Sequence, residues 1–271
     1  KHPELMFTDV QGSWPTHERF ILVSCDEIYF NRYFPRFYKT FTKHWQLPIH
    51  AHLIDPSNES LKRLEQLGVS HTWCKTTDFD WAVPVNKLNA TDRPFETVRE
   101  WLYQCYCQCQ RFVVMGSRIK EKQSVIVADV DAYAQHTPTQ KQSDLLFSST
   151  GFTKYKDKLM ATFCHFHPRD IQHTRKLSSS MVEQLKDVML LGTDQIVLKK
   201  IFGDIRDTTD LANNEWIRHY DVKQYKDEKA HRRCLVYHEK GVRGKNRTVD
   251  TTWKNMDKVP LSVARQGPPL K

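Results

Sequence analysis

Residues 124–132 read SVIVADVDA, and the fold follows from them. The first five are an unbroken apolar, β-prone run, the composition of a strand covered on both faces. Two aspartates follow at once. Upstream, residues 19–25 (RFILVSC) form a similar apolar run that predicts a first buried strand. Residues 27–45 (EIYFNRYFPRFYKTFTKHW) place apolar and aromatic side chains three and four apart, which predicts a helix whose start is marked by Pro35. Residues 47–54 (LPIHAHLI) alternate and end in Asp55-Pro56-Ser57-Asn58, a second strand closed by a turn. A short amphipathic helix over 60–67, a third strand over 69–73 and a helix over about 96–115 complete the run up to Ser124. Strand, helix, strand, helix, strand in that order predicts an α/β fold with a mostly parallel central sheet. The second half is less regular: strands are expected at 145–148, 160–166 and 235–238, helices at 181–189 and 195–201. No internal repeat is visible. The expected organisation is one domain over 1–258, divided at about 19–131 and 132–258, and an extended basic tail over 259–271 marked by Pro260, Gly267, Pro268 and Pro269.

The 271 residues are 39% hydrophobic and 27% charged, which excludes collagen-like, low-complexity and coiled-coil chains. Seven Trp, ten Tyr and fourteen Phe supply too many large anchors for a disordered chain. No run approaches the ~20 apolar residues of a membrane span, so no integral span is expected. Of the net charge of +9, +6 comes from residues 240–271, where eight Lys and Arg face only Asp250 and Asp257. A local basic stretch suits a small polyanion such as a diphosphate, a nucleic acid, or simple solvation of a tail. The seven cysteines make no metal-type pairs; Cys105 and Cys109 share a helix face without Cys107, which favours packing over a thiolate site. Reduced thiols point to a cytoplasmic, soluble protein.

Three segments carry chemistry. Asp129 and Asp131 follow a buried strand, and in open α/β sheets ligands bind at the carboxyl ends of strands. If strand geometry persists the two carboxylates point the same way, an arrangement that a hard divalent cation, Mg²⁺ or Mn²⁺, relieves. The same pair also suits a solvated, helix-capping loop. Next, His238-Glu-Lys-Gly241-Val-Arg243-Gly244-Lys245 sets a metal-capable imidazole beside glycines and cations that suit a phosphate. It also suits a basic surface loop. Last, Gly192-Thr193-Asp194-Gln195 opens a helix, with Thr193 or Asp194 as its cap or with Asp194 and Gln195 turned to a substrate. The paired histidines His50/His52 and His165/His167 read as packing or solvent-facing side chains.

Taken in order, these segments resemble the nucleotide-sugar-dependent glycosyltransferases of the GT-A fold, over about residues 20–245. The opening Ser24-Cys25-Asp26, with Tyr29 and Phe30, resembles the nucleotide-binding start of that family. Tyr106, Arg111 and Phe112 occupy the helix before the DxD strand, and Asp129 and Asp131 match its two acidic positions. Asp194-Gln195 resembles the helix start of retaining members, and His238, Gly241 and Lys245 the late segment that closes over metal and diphosphate. The resemblance implies a Rossmann-like GT-A fold and transfer of a hexosyl-type sugar from a UDP- or GDP-sugar, UDP favoured, to a glycan, protein or other hydroxyl acceptor. Mn²⁺ or Mg²⁺ would be held by Asp129, Asp131 and His238. The donor would be bound by Ser24, Cys25, Asp26, Tyr29, Arg111, Asp129, Gly241, Arg243 and Lys245, with Asp194 and Gln195 at the reacting centre. A modified nucleic acid is a further acceptor compatible with the basic tail. The rivals are a sugar nucleotidyltransferase, disfavoured because no glycine-rich loop follows the first strand, and a non-catalytic nucleic-acid or polyanion binder using the C-terminal stretch.

Overall fold

The computed structural model describes residues 9–76, 98–155, 158–187, 192–205, 208–211, 217–219 and 235–238. Its centre is a parallel set of four strands. β2 (Arg19–Asp26) is flanked on one side by β3 (Ile49–Ile54) and then β4 (Ser70–Cys74), on the other by β5 (Ser124–Ala128). Short β1 (Gln11–Gly12) adds antiparallel to β4. Beyond β5 the sheet changes sense: β8 (Lys158–Phe166) runs antiparallel to β5, and β7 (Gly151–Tyr155) antiparallel to β8. β9 (Thr209–Asp210) then pairs parallel with β7. The full order is β1-β4-β3-β2-β5-β8-β7-β9. The expectation of a mostly parallel sheet is corrected here: the eight strands form a mixed sheet. The repeating strand–helix units that impose parallel pairing stop at β5, and the β7–β8 pair enters as a hairpin, which is antiparallel by construction. A second sheet joins β6 (Ala132–Ala134) to β11 (Val236–His238) and β11 to β10 (Ile217–His219).

Both faces of the sheet are covered, and side-chain alternation along β2 sorts the core into two layers. Phe20 and Leu22 pack with Tyr106, Cys109, Phe112 and Val113 of α3 (Val98–Arg118). The same layer includes Leu177 and Met181 of α5 (Ile171–Asp187) and Leu198 and Phe202 of α6 (Thr193–Phe202). Ile21, Val23 and Cys25 pack instead with Phe30, Phe34, Phe37 and Phe41 of α1 (Glu27–His44) and Leu64 of α2 (Asn58–Gln66). Gly116 lets α3 and α5 approach backbone to backbone. A Cβ there would stand 2.7 Å from the Ser178 amide nitrogen and 3.0 Å from the Thr174 carbonyl oxygen. Gly116→Ala is therefore expected to lower stability by about 1–3 kcal/mol through overpacking. A urea midpoint equal to that of the wild type would contradict this.

Several elements differ from their sequence reading: α5 begins at Ile171 rather than 181, and β7 was not expected. Pro35 lies in the middle of α1 rather than at its start, which is set by Asp26, whose carboxylate accepts the Tyr29 N–H at 2.8 Å. Residues 145–148 are not a strand but the end of α4 (Gln140–Ser148). Thr139 and Gln142 form a capping box there, a local signal stronger than the short apolar run. Cys105 and Cys109 are fully buried among apolar neighbours, so the packing reading holds for them.

The buried histidines prove to be core groups. His50 hydrogen-bonds with Ser70 and Thr72, each at 3.0 Å, and His52 with Thr72 at 2.9 Å. His165 donates from Nδ1 to the Ser149 carbonyl at 2.8 Å, leaving Nε2 to accept from the Ser124 hydroxyl at 2.6 Å. Burial lowers His52 and His165 to about 3, and His50 is lowered as well. An unfolded chain binds protons at these sites near pH 6.5, and the folded one does not until near pH 3. Stability therefore falls as pH drops through that window, by about 1.4 kcal/mol per pH unit for each histidine. Urea midpoints measured between pH 7 and 5 should decline steeply. A flat profile would contradict neutral burial.

Candidate functional site at the strand ends

The chain runs from β2 outward through β3 to β4, then returns to place β5 on the opposite side of β2. The carboxyl ends of β2 and β5 thus flank the point where strand order reverses, the position where open α/β sheets leave a crevice. Val23 pairs with Ala128 as the last register of β2 with β5. Ser24-Cys25-Asp26 and Asp129-Val130-Asp131 therefore continue side by side beyond the paired region.

Strand geometry does not persist through the two aspartates. The Asp129 carbonyl accepts the Ala132 N–H at 3.0 Å, closing a tight turn, while the Asp129 N–H donates to Thr162 at 2.9 Å. Val130 is buried beneath the turn. The carboxylates consequently diverge in role. Asp129 pairs with the Arg111 guanidinium, which reaches from α3. Asp131 lies near enough to Cys25 to help raise its thiol pKa, after the larger effects of burial, Asp26 and Glu27. Cys25 accordingly stays a neutral thiol at pH 7.

Arg111 also donates from Nη2 to Asp194 at 3.2 Å. The side chains of Arg111 and Asp194 are 8% and 4% exposed, and that of Asp129 20%. One buried cation thus ties the turn after β5 to the first turn of α6. Burial pushes the Asp194 carboxyl up, and Arg111 opposes that shift. Neither Thr193 nor Asp194 caps α6. The cap position is Gly192, with φ of 88°, and it has no side-chain cap bond. Its N–H donates to Gln108 of α3 at 3.2 Å, and Asp194 accepts the Gln195 N–H at 2.8 Å. Asp194 thus faces the protein interior, while Gln195 remains partly exposed at the helix start.

The other predicted residues that the structure describes gather at the same edge. Asp26 caps α1, its carboxyl raised chiefly by burial. Tyr29 and Ile28 stand exposed on the first turn of α1. Ser24 is buried with an unpartnered hydroxyl. His238 ends β11 and is in register with Ala132, so its backbone lies one residue from Asp131. Gly241, Arg243 and Lys245 lie outside the described residues.

Sequence reasoning missed Asp55, read only as a turn residue. It ends the neighbouring strand β3 with φ of 53° and accepts from the Thr76 N–H at 2.6 Å and from Tyr103 at 3.4 Å. Its charge adds to the upward shift of Asp26. The signal was its position at a parallel-strand end. Asp26, Asp55, Asp129 and Asp131 make this edge acidic, with Arg111 set among them.

Among the described residues, no three His, Cys, Asp or Glu side chains close around one metal position. No helix among them is long and apolar enough to cross a membrane. No protein-family model matches the chain, and no curated protein matches it significantly.

Proposed function

We propose that the chain is a metal-dependent glycosyltransferase of GT-A type that moves a sugar from a nucleoside diphosphate sugar, UDP-sugar favoured, to a hydroxyl acceptor. One observation carries this reading: the Asp129-Val130-Asp131 turn stands at the strand-order reversal, beside Ser24-Cys25-Asp26. The donor set fits a hard divalent cation, because Asp131 offers carboxylate oxygens and the β6–β11 register brings the His238 backbone alongside. Asp131 and His238 would hold Mn²⁺ or Mg²⁺, with Asp129 fixed against Arg111. Bound there, the cation supplies neutralisation of the charge that develops on the departing diphosphate.

The surrounding residues have separable roles. Asp26 and Tyr29, on the first turn after β2, would contact the nucleoside, and the segment following His238 in sequence would bring Arg243 and Lys245 to the diphosphate. Arg111 acts as a positioning residue, since both of its pairs are to protein carboxylates. Asp194, turned inward and paired, is unsuited to take a proton from an acceptor. That favours a retaining course, in which leaving-group departure dominates and no general base is required on this residue.

Thermal unfolding against UDP-, GDP- and CMP-sugars, each with and without Mn²⁺, tests the reading. One nucleotide sugar should raise Tm only with metal, and Asp131→Ala should remove the shift. Stabilisation by oligonucleotides at low salt, with none by any nucleotide sugar, would favour the nucleic-acid binder instead.

A further inference from the structure

The outer face of α1 carries a row of exposed basic side chains headed by an exposed isoleucine. At 100° per residue, Ile28, Arg32, Arg36, Lys39 and Lys43 fall within an arc of about 80°. From Ile28 to Lys43 the ridge runs for about 22 Å along the helix. Ile28 is 72% exposed, and Arg32, Lys39 and Lys43 are exposed as well. Arg36 lies over the Tyr133 ring at 3.5 Å, which braces the middle of the ridge against β6. The one carboxylate of α1, Glu27, is turned away and accepts from the Ser57 and Ser60 hydroxyls at 2.9 and 2.8 Å. Among the described residues Arg32, Lys39 and Lys43 have no carboxylate partner.

The positive band ends at Lys43. His44 reaches Thr137 at 3.3 Å, and partial burial, Lys43 and His136 hold its imidazole below its ordinary pKa, so it adds no positive charge at pH 7. The band is a convex helix ridge rather than a groove, and it is headed by an exposed isoleucine and tyrosine. A groove would suit an extended soluble chain. A ridge of long cationic side chains with an apolar residue at one end suits a flat anionic surface into which Ile28 can dip.

We infer that the α1 ridge docks this protein on an anionic lipid bilayer through Arg32, Lys39 and Lys43, with Ile28 entering the interface next to the strand-end crevice. This is peripheral docking and does not rest on the transferase reading, since nothing in it requires the crevice to be catalytic. Charge complementarity selects the anionic headgroup, and the exposed apolar residue selects a bilayer over a free polyanion.

Co-sedimentation of the full chain with phosphatidylcholine vesicles, with and without 30% phosphatidylserine, tests the inference at about 0.1 M salt. Soluble polyphosphate serves as the competing polyanion. Binding is expected only to the phosphatidylserine vesicles, weakening at least about 100-fold in Arg32→Glu/Lys39→Glu/Lys43→Glu, since each basic residue near such a surface contributes about fivefold. Ile28→Ser should weaken vesicle binding several-fold while leaving polyphosphate binding unchanged. All four positions are exposed, and unchanged circular dichroism and Tm would confirm that the variants fold. Failure of the wild type to bind these vesicles would overturn the inference. Full binding by the charge-reversed variant would do so as well, assigning the attraction to the basic residues of 240–271. Equal loss of vesicle and polyphosphate binding in the charge variant, with no effect of Ile28→Ser, would reassign the ridge to a soluble polyanion.

Discussion

Replacing Arg111 with Met is expected to lower stability by about 3–5 kcal/mol, the range for removing one partner of a buried ion pair. The reason is local. Asp194 is almost wholly enclosed and Asp129 largely so, and both pair with Arg111. Without it, Asp194 must either stay charged in a poorly solvated place or take up a proton. Its carboxyl is already pushed up by burial, with Arg111 opposing, so protonation is the easier course. Three further results separate this from ordinary cavity formation. Arg111→Lys should recover only part of the loss, because an ammonium cannot reach two carboxylates with a planar fork. Arg111→Met/Asp194→Asn should recover more than Arg111→Met alone, since the double variant no longer buries that charge. The single Arg111→Met variant should also regain stability, relative to wild type, as pH falls toward the raised Asp194 pKa. Equal midpoints for Arg111→Met and wild type would show that the bridge holds nothing together.

The second large effect is on turnover. Asp131→Ala is expected to reduce transfer by at least about 10²–10³-fold, the scale of losing one preorganised electrostatic contact to a leaving group. Stability should change little, because Asp131 is partly exposed in the turn and Val130 supplies the buried anchor. Asp129→Ala should behave differently. It removes a partner of Arg111 and loosens the join between the turn and α6, so both Tm and turnover should fall. The contrast between the two aspartates is the test: one lowers rate at constant stability, the other lowers both. Loss of stability alone in both would reduce the pair to a structural turn.

The parallel part of the fold was legible because each of its elements carries a strong local pattern. Residues 20–23 and 125–128 are continuous apolar runs, and α1 repeats Phe and Tyr at helical spacing, so β2, α1 and β5 fall close to where the pattern puts them. The mixed sense of the sheet was not legible. Nothing in the composition of residues 160–166 distinguishes a strand beside β5 in the antiparallel sense from one in the parallel sense, and the β7–β8 hairpin fixes only how those two strands run relative to each other. Residues 145–148 mislead in a similar way: Leu145, Leu146 and Phe147 suit a strand, but the Thr139–Gln142 cap in front of them starts a helix that includes them. At the site, the residue types were readable and their pairing was not. Arg111 and Asp194 are 83 residues apart, and no periodicity links them. The divergence of Asp129 from Asp131 has a local cause: spacing of two implies a shared direction only while the strand continues, and the Asp129–Ala132 hydrogen bond ends it. Asp55 was overlooked because its turn signal, Asp-Pro-Ser-Asn, concealed its position at a strand end.

These points place the central claim on a few atoms at the β2 and β5 termini, and one measurement addresses it most directly. The purified chain is incubated with UDP-, GDP- and CMP-sugars in turn, with a panel of glycan and peptide hydroxyl acceptors and with water as the default acceptor, with Mn²⁺ or with chelator, and the nucleotide released from each is quantified by mass spectrometry. Asp131→Ala is run in parallel after its Tm is shown to equal that of the wild type. The expected result is release of one nucleoside diphosphate from one donor class, dependent on metal and lost in Asp131→Ala. Release that proceeds equally in chelator and in Asp131→Ala, or no release from any donor by folded wild-type protein, would contradict a metal-assisted sugar transfer at this crevice.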